Sequence, residues 1–372
     1  MKARPWGVAM TDTATDRVTQ LRGEHRSRQV RWGFIWALTC AVLWGAWYVP
    51  GTAIYFEAPF VDMVDNYLLA AFVITVLNAI AVLIALFVWV AVLGKTGDYV
   101  RTMKQTKISR WYAPAGLAGM LAIFGSIIAI AYVGLAFAAV AALMYPIVGA
   151  YAAKVWYNER ITKQAAVGIL VIVAGGVFIF APGIVGEFTG AGTGGLLGYV
   201  GGAMAIVGWG LEGAIAGRAL DVSDPDVGIT LRFSAEVAIW IVIGVPIAWA
   251  LAGGDALWST VGDALANPTV WLLLLLLGLT FGFCYVAWYK SFPLIGVGRG
   301  QAIAALYGPF ALVWLTVFTL VAPSWQFIVG ALIAVAGTFI LFTEKRDVLE
   351  VIRAVPSGRS RTVQENPSSP VR

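Results

Sequence analysis

Residues 164–180 read QAAVGILVIVAGGVFIF, and residues 326–342 read QFIVGALIAVAGTFILF. Eight of the 17 aligned positions are identical, among them Gln164, Gly168 and Gly175 against Gln326, Gly330 and Gly337. Just upstream, AALMYP at 141–146 faces AALYGP at 304–309. Each segment is apolar and free of charge, as a helix crossing hydrocarbon must be. The ordered Pro, Gln and Gly landmarks predict one unit written twice along the chain.

Outside these segments the basic residues are strongly clustered. Five stretches contain no Lys or Arg: those between Arg31 and Lys95, Arg110 and Lys154, Lys163 and Arg218, Arg232 and Lys290, and Arg299 and Lys345. Each is mostly apolar and long enough to cross a bilayer, turn and return, at about 20 residues per crossing. Lys and Arg collect on the cytoplasmic side of membrane proteins. The pattern therefore predicts ten spans with both termini in the cytoplasm, in the cell inner (plasma) membrane. The spans are placed at 32–55, 66–93, 112–133, 137–157, 164–184, 196–218, 228–252, 269–290, 299–320 and 325–343. Outer loops carry Glu57, Asp62, Glu187, Asp255 and Asp263 and no cation. Tight outer turns are expected near Gly134 and Pro323.

Five spans per copy is an odd number, so the second copy enters the membrane from the opposite side. The expected fold is an all-α integral membrane protein, with ten transmembrane helices in two inverted five-helix repeats. Residues 1–31 form a disordered cytoplasmic tail, 32–184 the first repeat, 185–343 the second, and 344–372 a cytoplasmic tail. Inverted repeats are the architecture by which secondary transporters alternate access.

Composition narrows the function classes. The chain has 372 residues, 60% of them hydrophobic and 12% charged, against about 45–50% and 25% in soluble domains. Continuous apolar runs exclude a barrel, whose strands alternate. The net charge of +5 lies in clusters beside spans, which argues for orientation and lipid contact rather than nucleic acid. His25 is the single histidine and lies near the N-terminus, so no histidine dyad is available to a catalytic core. Cys40 and Cys284 read as packing residues. No nucleophile constellation or P-loop is present, and nothing calls for a cofactor, a metal or a catalytic residue.

A weaker correspondence links Leu43-Trp44-Gly45, followed by Trp47, to Gly208-Trp209-Gly210, followed by Glu212. With the Pro146 … Asn158-Glu159-Arg160 … Gln164 … Gly168 … Gly175 pattern, the chain resembles the EamA-type drug/metabolite transporter superfamily over roughly residues 32–343. It departs from that pattern after the ninth span, where Ala322-Pro323-Ser324 replaces an acidic residue. The resemblance implies ten helices in two inverted halves that move a small metabolite. The expected function is a secondary active transporter, an exporter of an amino acid, amine or aromatic heterocycle, coupled to protons. An uptake permease for a sugar or nucleobase is the alternative, and a non-transporting sensor or scaffold a more distant one. The partners implied are a small solute, protons and the lipid bilayer; the sequence is silent on oligomeric state.

Trp44, Trp47, Tyr48, Tyr145, Trp209, Tyr285 and Tyr307 are expected to wall a central cavity and bind solute, with Tyr289 beside them. A carboxylate within a span costs roughly 2.5–3.5 kcal/mol, so Glu212 reads either as a coupling site or as the partner of a nearby basic residue. Arg232 and Glu236 lie four apart on one helix face and can pair as a gate latch. Pro146 and Pro309 occupy matching places and are expected to kink their helices and serve gating. Arg299 reads as an interfacial anchor or an anion site. Asn78 reads as a pathway residue or a bond between helices. Asn158-Glu159-Arg160 reads as a structural cap or a partner of Lys104 and Lys107.

Overall fold

The computed structural model describes residues 12–63, 66–133, 138, 141–159, 161–189, 196–319 and 324–343. The expected turns at Gly134 and Pro323, Arg160, and the C-terminal tail lie outside these residues.

Helices account for nearly all of it, and no strand occurs among the described residues. Those of eight residues or more are, in chain order, α1 (Asp12–Ala53), α2 (Tyr67–Val92), α3 (Thr96–Lys104), α4 (Tyr112–Tyr132), α5 (Tyr145–Tyr157), α6 (Lys163–Thr189) and α7 (Leu196–Leu220). They continue with α8 (Pro225–Ile239), α9 (Val245–Ala252), α10 (Gly254–Ala266), α11 (Pro268–Ile295), α12 (Val297–Ala304), α13 (Tyr307–Thr319) and α14 (Trp325–Phe342). A membrane helix must satisfy its own backbone groups, and these long apolar segments do so by forming helix over nearly their whole length. Among the described residues, seven helical segments are long and apolar enough to span: Arg28–Phe56, Tyr67–Val92, Thr106–Ala129, Leu196–Leu220, Pro225–Ala252, Pro268–Ile295 and Val297–Phe318. Lys163–Ile179 and Ile328–Phe342 are shorter apolar stretches. The architecture is that of an all-α, multi-pass membrane protein.

Several details differ from the sequence reading. Residues 12–31, expected as disordered tail, continue α1 as helix. Their Arg, Glu, Gln and Leu content favours helix, and no proline interrupts it before Pro50. Glu187 falls within α6, which runs on to Thr189. Asp255 and Asp263 sit on α10, a short helix set off from α9 by Gly253 at φ 87°. Between α8 and α9, residues Trp240–Gly244 form a π-helical turn. Pro246 follows it and has no N–H to return to the preceding turn, a recurrent cause of such bulges.

Pro146 and Pro309 lie in the first turn of a helix that follows a break. Pro146 is the second residue of α5, and α13 begins at Tyr307, two residues before Pro309. A proline ring collides with the carbonyl four residues back. The α-helix is accordingly interrupted just upstream, at Met144 in one segment and at Ala305–Leu306 in the other.

The helices pack in a recurring set of pairs: α1 on α11, α4 on α7, α2 on α11, α4 on α8, α2 on α8, α5 on α7, and α1 on both α12 and α13. The segments quoted at the outset pack on each other as α6 against α14. A Cβ on Gly175 would lie 2.6 Å from the Gly330 carbonyl oxygen, and one on Gly337 would lie 2.8 Å from that of Gly168. The two helices therefore run antiparallel, with glycines where their backbones touch, as small residues allow in membranes. Gln164 Nε2 donates to the Ile340 carbonyl at 2.8 Å at one end of this seam.

Candidate functional site

A cavity of about 390 Å³ lies between α1, α2, α4 and α11. Trp47 and Tyr48 line it from α1, Asn78 and Ile74 from α2, Ile127 from α4 and Leu277 from α11. Tyr55, Phe56, Phe60 and Val61 line it from the segment that follows α1. There Asn267 Nδ2 donates to the Ala58 carbonyl at 2.9 Å, tying the start of α11 to that segment. At its inner limit Trp47 Nε1 donates to Asn78 Oδ1 at 3.3 Å.

Deeper along α1 the aromatic residues close on one another. Trp44 stacks on Tyr307 at 4.7 Å and meets Trp209 edge-on at 5.2 Å, with Tyr145 at 5.8 Å and Tyr285 at 6.4 Å. Trp209 Nε1 donates to the Tyr285 hydroxyl at 3.1 Å, and the Tyr145 hydroxyl donates to the Gln301 carbonyl at 2.8 Å. Of the seven aromatics expected to wall a cavity, Trp47 and Tyr48 line this one; the other five form a packed plug behind it. Cys40 and Cys284 are both buried, and their sulfurs are 3.5 Å apart across α1 and α11.

Beyond the plug lies a buried ion cluster. Arg232 Nε is 2.5 Å from Glu212 Oε1, and its Nη1 donates to Glu236 Oε2; all three side chains are fully buried. The Tyr285 and Tyr289 hydroxyls donate to Glu212 at 3.3 and 3.4 Å. The guanidinium also lies over the rings of Phe233 at 4.1 Å and Tyr285 at 4.9 Å, adding cation–π attraction. Arg232 and Glu236 pair along one face of α8, as their spacing predicts, and Glu212 joins them from α7. Gly119 of α4 makes the cluster possible, since a Cβ there would fall on the guanidinium and lie 2.5 Å from Glu212 Oε2. Two carboxylates around one guanidinium leave an excess negative charge that a single proton would balance.

A second ionic knot sits where α2 ends and α8 begins. Lys95 Nζ is 2.8 Å from Asp224 and 2.6 Å from Asp226; Lys290 Nζ is 2.9 Å from Asp226, and Trp89 Nε1 donates to the same carboxylate at 2.9 Å. Asp224 also caps α8 by accepting from the Asp226 and Val227 N–H groups. This knot joins the α2–α3 connection to α8 and α11. Its residues look like ordinary loop charges in the sequence, and the Asp224-Pro225-Asp226 cap is the one local sign of it.

Arg299, read first as an interfacial anchor, is fully buried on α12, because α12 lies inside the bundle against α5 and α11. Glu159 caps that helix, accepting from the Val297 and Gly298 N–H groups at 3.3 and 3.4 Å, so it does not reach out to Lys104 or Lys107. Asn158 ends α5 at φ 51°, the left-handed conformation asparagine tolerates.

No protein-family model matches the chain, and no curated protein sequence does. Among solved structures, one described as "Crystal structure of protein" superposes with a TM-score of 0.62 at 18% identity, over 84% of this chain and 98% of its own. That similarity is one of fold.

Proposed function

We propose that the protein is a secondary active transporter of a small organic solute, working by alternating access and coupled to protons through Glu212. The observation that carries this reading is a correspondence between the open cavity and the ion cluster. Taking the ten apolar segments as spans, the cavity is lined from spans one, two, three and eight. Advancing each by five gives spans six, seven, eight and three. These are the helices that supply Glu212, Arg232 with Glu236, Tyr285 with Tyr289, and Gly119. The place that is open in one half is thus closed by ions in the other, as two inverted repeats in unlike conformations require.

The packing pairs support the same relation. Advancing by five spans turns α1 on α11 into α7 on α4, and α2 on α11 into α8 on α4. It returns α2 on α8 and α6 on α14 to themselves. In this reading the chain is a ten-span, EamA-type drug/metabolite transporter in the inner membrane. The Lys95 end faces the cytoplasm and the cavity faces out. The direction, export, follows the family resemblance. Protonating a cluster carboxylate loosens its hold on Arg232, and the cytoplasmic side opens as the outer cavity closes.

The test is reconstitution into proteoliposomes loaded with a pH-sensitive dye, screened with amino acids, amines, nucleobases and sugars. At least one solute should move protons, and Glu212→Gln should abolish that proton movement. A transported solute whose proton movement survives Glu212→Gln would remove the coupling role, and absence of any flux would remove the transport reading.

A further inference from the structure

The cavity's own chemistry narrows what it can hold, given the reading of it as the solute site. Among the described residues, no Asp, Glu, Lys, Arg or His lines it. Glu212, the acid within a span, pairs with Arg232 beyond the aromatic plug. The walls are rings: Trp47, Tyr48, Tyr55, Phe60 and Tyr67. Two of them are held rigid from behind. Trp47 stacks on Phe281 at 4.6 Å with planes 21° apart, and Tyr48 stacks on Tyr307 at 5.7 Å with planes 4° apart.

The polar lining consists of the hydroxyls of Tyr48, Thr52, Tyr55 and Tyr67 and, beside Trp47, the amide of Asn78, which is 2% exposed. Trp47 Nε1–H can only donate, so the amide atom facing it is the oxygen. That leaves the Asn78 nitrogen with its two hydrogens, and it is buried without a partner among the described residues. A buried donor left unsatisfied is costly, and a ligand acceptor would relieve it. A cation would meet a donor there instead of an acceptor. An anion would enter a mostly apolar chamber with no countercharge among the described residues.

We propose that the cavity takes an uncharged planar ring that carries a hydrogen-bond acceptor, such as a carboxamide, lactam or ring-nitrogen heterocycle. The ring lies against the fixed faces of Trp47 and Tyr48, and its acceptor takes the free Asn78 N–H. A volume of about 390 Å³ suits a small molecule, near the lower end of the roughly 300–1,000 Å³ range of ligand pockets.

The experiment is equilibrium binding to the purified full chain in lipid nanodiscs. The probes are nicotinamide and uracil as neutral rings, benzyltrimethylammonium as the cation, and benzoate as the anion. The neutral rings should bind more tightly than either ion. Asn78→Leu should weaken them about tenfold, the loss of one hydrogen bond to a buried donor. Asn78→Asp replaces the donor with an acceptor and should shift preference toward the cation, which separates lost recognition from lost folding. Tighter binding of either ion, no binding of either neutral ring, or neutral-ring affinity unchanged in both variants overturns the proposal. Neutral-ring binding without flux in proteoliposomes would sink the transport reading and leave this assignment standing. Flux of a charged solute with no neutral-ring binding would do the reverse.

Discussion

Arg232 faces two carboxylates inside the bundle, and each of the three side chains is fully buried. Removing the cation leaves Glu212 and Glu236 against each other without compensation, so Arg232→Met should lower stability by about 3–5 kcal/mol. A melting curve in detergent measures this directly; a loss below about 1 kcal/mol would contradict the pairing. Gly119→Ala should act through the same cluster, because its methyl group occupies the space of the guanidinium. Much at this scale was legible in sequence: the four-residue spacing predicts the Arg232–Glu236 pair. Glu212 was singled out for its place in a span, but its partner is 20 positions away on another helix, and no local spacing reports that. The five plug aromatics show a similar limit. Their ring chemistry is visible in the sequence, whereas whether they surround a space or fill it depends on how helices meet.

At the scale of elements, the Lys95–Asp226–Lys290 knot ties the α2–α3 connection, α8 and α11 together at one end. Burial pulls the Lys95 ammonium down, but Asp224 and Asp226 outweigh it and hold its pKa above the ordinary lysine value. A raised value means the contribution is fully present below the ordinary lysine pKa of about 10.4 and is lost as pH rises through the raised one. The lysine side of the knot should therefore be indifferent to pH between about 6 and 9. In the proposed transport cycle, Asp226→Asn removes the shared carboxylate and should shift the balance of states toward the one open at this end by roughly tenfold. Thiol labelling of a Thr52→Cys reporter in the cavity should slow accordingly; unchanged labelling would count against a gating role. Prolines were legible as landmarks. The sequence reading expects kinks at Pro146 and Pro309, and the α-helix breaks just upstream of each. The knot was illegible because Lys95 and Asp226 are 131 positions apart.

For the whole molecule, the cation-free stretches foretold where nearly every long helix lies, because apolar length and charge asymmetry are properties of the chain itself. They also set its expected orientation. Cys40 and Cys284 are buried, so the native chain offers little background to thiol reagents. In intact cells, an impermeant maleimide should label Asp263→Cys and spare Lys104→Cys, both exposed positions at opposite ends. The opposite pattern would invert the orientation.

The glycine seam between α6 and α14 has one more consequence. In the proposed transport cycle two inverted halves trade conformations, and every contact is replaced by its counterpart. The counterpart of Gly168 against Gly337 is Gly330 against Gly175, which the structure already contains. The seam is its own mirror partner, so it can stay still while the bundle turns around it, like the axle of a revolving door. The thiols of Cys40 and Cys284, 3.5 Å apart, bridge α1 and α11, which are not exchanged into themselves. Welding those sulfurs with iodine should jam the door. A crosslink across the axle should let it turn.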